Sequence, residues 1–511
     1  MFSRGTHTPP GLRWSTLFLV ALSLSIGWGV RGNWGHEYGA MIPGALSAMA
    51  VCLLSGRDDW RCRVAFFAFF GALGWSFGGS MSYGVVIGYT HSDQFSSVLY
   101  GFVCLFAIGF LWGAMGGAGT AFPAFLNRDR LTEFLAPLAA VFIAWGLEGV
   151  AFTFHWLDED RLNWHDTDWL AALLAIFAVL LLALVRRRFC RASSLILQLA
   201  LGWWLGFLVL TVFLGLRMTP PRSDNWAGCT GMTVMLFVYL LRNRMLPVLF
   251  VSLMTGFFAG FGFSTNNAIK IVGEVSGIAV NWHSVMEQSF GFVSGLGAAI
   301  AMGYLSTRLR RVSDEPGVRS WTEPFCVGFV LLLVTYLNIR KNVEARWVPD
   351  QIPETMYGIS AFGWFNIAYF LVALVVLLSL VRHHRVSLPV VPSSWLGKGQ
   401  ALYLLFLWWI VIGNLSRYLP FDPGRLITEG VIHVNACICT LLALLRPSET
   451  ESVAQLPSPD YRRLTAIVVG IGLVVVIVFA LIQTGVVMSV LDGPTGDLHL
   501  RFGPNASHLT G

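Results

Sequence analysis

Arg31, Asn33, His36 and Glu37 stand close together in the run Gly27-Trp28-Gly29-Val30-Arg31-Gly32-Asn33-Trp34-Gly35-His36-Glu37-Tyr38-Gly39. A guanidinium can clamp a carboxylate or phosphate through two parallel hydrogen bonds. A glutamate beside a histidine can serve as a general acid or base. The plainer role for Arg31 is an internal ion pair with Glu37. A second arginine, Arg217, is followed by Arg222, Asp224, Asn225 and Trp226. It admits the same two readings, a solute clamp or a pair with Asp224.

Two further polar groups occur twice along the chain. Ser76, Ser80, Ser82 and Tyr83 lie among Gly74, Gly78, Gly79 and Gly84, and Ser264, Thr265, Asn266, Asn267 and Lys270 occupy the corresponding stretch. Glycine and polar residues that interrupt apolar helices at matching places in two halves of a chain mark transporter binding sites. The competing reading is tight packing by small residues with hydrogen bonds across helices. Lys270 adds positive charge to this group or pairs with Glu274. Thr90, His91, Ser92, Asp93 and Gln94 form the third group, matched by Glu274, Asn281, Trp282, His283, Ser284, Glu287 and Gln288. Glu148, Glu287 and Glu429 are expected carriers of a coupling proton or sodium ion. Glu429 and His433 share one helical face and make a relay pair.

All these residues sit at the ends of apolar segments. Hydrophobic residues make up 55% of the chain and charged residues 12%, about half the charged share of a soluble domain. Apolar runs long enough to cross a bilayer recur throughout. They fall at 14–31, 38–55, 63–88, 96–118, 132–154, 168–185, 195–216, 226–242, 245–268, 286–306, 323–339, 359–381, 400–418, 428–445 and 463–490. The expected fold class is all-α, a polytopic membrane protein of about fifteen transmembrane helices. The first span reads as an uncleaved anchor, because its polar end belongs to the repeated block.

Residues 15–120 recur in diluted form at 200–306. Gly29-Val30-Arg31 matches Gly215-Leu216-Arg217, and Tyr100-Gly101-Phe102-Val103 matches Phe290-Gly291-Phe292-Val293. The expected organisation is therefore two parallel six-helix repeats, 14–190 and 191–390. A three-helix segment, 391–511, follows as a truncated third copy or an extension. Six spans per copy return the chain to its starting side, which makes the repeats parallel.

About two-thirds of the 34 lysines and arginines lie in the loops on one side of this threading. The positive-inside rule assigns that side to the cytoplasm, with the N-terminus cytoplasmic and the C-terminus extracytoplasmic. Arginine greatly outnumbers lysine, which points to a GC-rich bacterial genome and so to the inner membrane. None of the eight cysteines has zinc-ligand spacing, and no metal or cofactor is expected. The chain contains no Walker A loop, dinucleotide fingerprint or HExxH pair. The net charge of +6 follows from loop arginines and calls for no nucleic-acid partner.

The expected activity is secondary transport of a small polar, anionic organic solute. Alternating access would rock one six-helix half against the other, driven by protons or sodium. The partners are then the solute and the lipid bilayer. The alternative is a membrane-embedded transferase acting on a lipid-linked substrate at the outer face, with Glu37 and His36 as its acid and base.

Overall fold

The structure is a computed structural model describing residues 9–35, 37–162, 164–216, 218, 224–312, 321–385, 397–417, 426–444 and 456–491. The protein is an all-α polytopic membrane protein. Its principal helices are α1 (Trp14–Arg31), α2 (Glu37–Leu54), α3 (Val64–Gly78), α4 (Gly84–Tyr89), α5 (Phe95–Phe125), α6 (Leu135–Thr153), α7 (Trp169–Arg186) and α8 (Arg191–Phe213). They continue with α9 (Asn225–Arg242), α10 (Leu246–Val275), α11 (Trp282–Arg308), α12 (Thr322–Asp350), α13 (Ala361–Arg385), α14 (Lys398–Ser416), α15 (Leu426–Leu444) and α16 (Tyr461–Val490). Fourteen of the fifteen apolar segments each coincide with one helix, and 63–88 is split between α3 and α4. Among the described residues, twelve helices are long and apolar enough to cross a membrane; α2 and α3 are shorter. A two-residue antiparallel hairpin pairs Thr355 with Ser360 and Met356 with Ile359. Its turn residues, Tyr357 and Gly358, both have positive φ, as a tight hairpin turn of this hand requires.

The chain forms two compact units. The first comprises residues 1–76, 277–311 and 323–458; the second comprises 77–276, 312–322 and 459–511. Both units draw on both halves of the sequence, so their limits differ from those of the expected repeats 14–190 and 191–390.

In the first unit α1 packs against α2, α11 and α15. Small residues permit these approaches. A Cβ on Gly27 would collide with Pro43 of α2, and one on Gly291 would meet the backbone of α1 at Leu24 and Ser25. Within the central 18 residues of α1, 78% are buried inside the protein, against 11% for α13. Hence α1 is a core helix, whereas α13 turns Phe370, Leu371, Val375 and Leu378 outward, toward lipid.

In the second unit α5 packs along α10, and α8 along α9. Gly109, Gly113 and Gly117 recur every fourth residue on α5 and admit Ala259 and Thr255 of α10. Without a hydrophobic driving force between helices in lipid, such small-residue seams allow the van der Waals contact that holds them. Gly231 of α9 touches the carbonyl of Gly202 on α8 so closely that no side chain fits. Gly231→Val should therefore force α8 and α9 apart, at the upper end of the ~1–3 kcal/mol typical of overpacking. A fall in the unfolding temperature of the purified protein is the expected result; an unchanged midpoint would refute this contact.

Candidate functional site

The densest buried polar network lies in the first unit and is built around the segment that follows α1. The helix ends at Arg31 because the chain turns. Asn33 N–H donates to the Val30 carbonyl and Trp34 N–H to the Arg31 carbonyl, and Gly35 follows with φ +97°. The turn folds Trp34 inward until it is buried. Its indole Nε1 then donates to Asn342 Oδ1 of α12 at 2.7 Å. Lys341, next in sequence, donates through Nζ to the Trp34 carbonyl. Asn342 Nδ2 in turn reaches the Gly413 carbonyl of α14 at 2.9 Å. Asn338, one turn earlier on α12, donates to the Tyr38 carbonyl at 3.0 Å. Helix α12, itself tied to α14, thus fastens a loop that would otherwise bury its backbone groups at a cost.

Ionisable side chains sit within this scaffold. Arg31 Nη1 lies 3.4 Å from Glu287 Oε1 of α11, and the two side chains are only 2% and 5% exposed. The guanidinium also stands 4.8 Å from the ring centre of Trp28, close enough for a cation–π contact. His283, one turn before Glu287, has its Nε2 3.8 Å from the same carboxylate oxygen. Asn33 Nδ2 donates to Asn414 Oδ1 at 2.8 Å, and Asn414 Nδ2 donates to Glu429 Oε2 at 2.8 Å. His433 Nδ1 contacts the Glu429 carbonyl at 2.7 Å. A continuous polar chain therefore runs from Asn33 through Asn414 to Glu429, beside the Arg31–Glu287 pair. Gln288 joins α11 to the Thr428 carbonyl. Gln288 Oε1, Asn338 Oδ1 and His433 Nε2 are buried without a hydrogen-bond partner among the described residues.

This unit brings together Arg31, Asn33, Glu287, Glu429 and His433 of the residues expected from sequence. The internal partner of Arg31 is Glu287, more than 250 residues away; Glu37 opens α2. Asn338, Lys341, Asn342 and Asn414 complete the network. Asn338 and Asn414 show in sequence as amides within apolar runs, and Lys341 and Asn342 as polar residues just past the end of one.

Most of the remaining expected residues belong to the second unit, where they bond chiefly to neighbouring helices and backbone carbonyls. Ser264 Oγ donates to Gln483 Oε1 of α16 at 2.6 Å and lies 3.1 Å from the Phe102 carbonyl, while Gln483 Nε2 donates to Thr265. Asn266 bonds within its own helix to Gly262, and Asn267 donates to Thr90. Lys270 pairs with Glu274 at 3.5 Å, and His91 approaches the same carboxylate. The helix α10 runs unbroken through Gly256, Gly260, Gly262 and Ser264–Asn267. The Ser76–Tyr83 segment, aligned with it in the expected repeat, does break, α3 ending at Gly78 and α4 beginning at Gly84. Ser80 meets Cys229 at 3.7 Å and accepts on its carbonyl from Asn225; Ser82 is half-buried. Glu148 is half-buried on α6 among the exposed Ile143, Leu147 and Val150. Arg217 and the tail beyond 491 lie outside the described residues.

No family profile, curated protein or solved structure matches this chain. The functional reading therefore rests on the chemistry of the first-unit network.

Proposed function

We propose that this membrane protein is a secondary transporter for a small polar organic solute bearing an anionic group, moved by alternating access and coupled to protons. The observation that carries the reading is the buried Arg31–Glu287 pair within a polar network of apolar helices. Ionisable groups in such surroundings are expensive, and membrane proteins keep them chiefly along solute and ion pathways. The unsatisfied acceptors on Gln288 and Asn338 belong to the same network and would receive hydroxyl or ammonium protons from the solute.

The charges supply a coupling rule. Arg31 is occupied by Glu287, so a solute carboxylate must compete with that side chain for the guanidinium. Two carboxylates at one cation repel each other. Protonation of Glu287 removes the competing charge at Arg31. Proton and solute then bind together, and neither is favoured alone. His283 lies between this carboxylate and the more exposed end of α11, a position suited to passing the proton. Glu429 is held by Asn414 in the same network. The bias of arginine toward one set of loops supports a bacterial inner-membrane location with the N-terminus cytoplasmic.

The test is the purified protein in liposomes with a mixed pool of small metabolites and an inward proton gradient. One carboxylated or phosphorylated compound is expected in the lumen, unchanged, at a rate that falls when the gradient is collapsed. Chemical conversion of a compound, or its attachment to lipid without entry, would instead favour a membrane transferase and overturn this reading.

A further inference from the structure

A cavity of about 350 Å³ in the second unit is lined by Leu241, Arg244, Leu246, Leu249, Arg462, Thr465 and Ala466. It lies where the end of α9, the start of α10 and the start of α16 converge. Its chemistry is two-faced. The leucines and Ala466 form an apolar wall, whereas Arg244 and Arg462 are exposed cations at its edge. Arg244 is held by the turn between α9 and α10, with φ +55° and its N–H donating to the Leu241 carbonyl. Arg462 is fixed at the start of α16, where Asp460 caps the helix by accepting from the N–H groups of Arg462 and Arg463. That carboxylate is engaged by the backbone. Arg242 and Arg463 add further positive charge nearby, and both are exposed. Inside the cavity, Thr465 Oγ1 is buried with no hydrogen-bond partner among the described residues.

We infer that this cavity binds the headgroup of an anionic phospholipid. A phosphate between Arg244 and Arg462 would receive charge-assisted hydrogen bonds, and a glycerol or phosphate oxygen would satisfy Thr465. The acyl chains would continue along Leu241 and the outward row Ile467, Ile471 and Val474 of α16, all exposed. Basic pockets between transmembrane helices at a membrane surface bind acidic lipids by this combination of charge and apolar wall. A soluble anion would use the arginines and leave the apolar row unused, which is why the lipid is the assigned occupant.

Native mass spectrometry of the detergent-purified protein tests the assignment, with phosphatidylglycerol, phosphatidylcholine and inorganic phosphate as probes. Phosphatidylglycerol is expected to be retained and phosphatidylcholine is not. The R244A/R462A variant should bind phosphatidylglycerol about 30-fold more weakly, from roughly 1 kcal/mol for each basic residue at an acidic lipid surface. T465V should weaken it several-fold with the unfolding temperature unchanged. Equal retention of the two lipids, undiminished retention by R244A/R462A, or displacement of the lipid by inorganic phosphate alone would each overturn the proposal.

Discussion

Arg31→Ala is expected to destabilise the protein by about 3–5 kcal/mol, the usual cost of removing one partner from a buried ion pair. The reason is what remains. Glu287 would keep its charge at 5% exposure, without the guanidinium that faces it. Glu287→Gln should cost less, because the Gln amide still fills the space and can hydrogen-bond. The double variant R31A/E287Q leaves no buried charge behind and should recover most of the loss. The unfolding midpoints of the four proteins in detergent form a double-mutant cycle, and a coupling well above 1 kcal/mol is expected for two groups in contact. Additive effects of the two substitutions would mean that the pair contributes nothing as a pair.

Glu287→Gln has the second large expected effect, on energy coupling. With the side chain permanently uncharged, no Glu287 carboxylate competes with the solute's at Arg31, so the solute binds without a proton. Wild-type protein should accumulate its solute about tenfold for each pH unit and coupled proton, since one unit is worth about 1.4 kcal/mol. The E287Q variant should exchange labelled for unlabelled solute across the liposome membrane yet reach an internal concentration no higher than the external one. Accumulation by E287Q equal to wild type would remove Glu287 from the coupling path and direct attention to Glu429.

Some of this was legible in the sequence. Apolar length is a local property, so fourteen of the fifteen segments each coincide with one helix. An ionisable side chain in such a segment is costly wherever it points, which singled out Arg31, Glu287 and Glu429 before any contact was known. The partnerships were not legible. Trp34 and Asn342 are hydrogen-bonded across 308 positions, and Asn33 and Asn414 across 381. No local pattern encodes which helices meet at such separations.

The run Ser264–Asn267 illustrates a different limit. Its glycines and polar groups read as a break, yet α10 is continuous. Backbone in lipid has no water to bond, so a helix keeps its own hydrogen bonds even through weak formers. The glycines instead admit Phe106 and Phe110 of α5, and Gln483 supplies the bonds that Ser264 and Thr265 need. The same composition does break the chain after Gly78, where Trp112 Nε1 donates to the Gly78 carbonyl. Only the three-dimensional neighbours distinguish the two cases.

The most direct test of the Arg31 site uses the R31A/E287Q variant, in which the charge pair is removed as a unit and folding is least disturbed. Its uptake of the identified solute into liposomes should be measured beside wild type at matched unfolding temperature. The account predicts loss of uptake at least a hundredfold, corresponding to about 2.7 kcal/mol or more of lost solute binding. Uptake at the wild-type rate would contradict it, since a solute that never touches Arg31 cannot notice its absence.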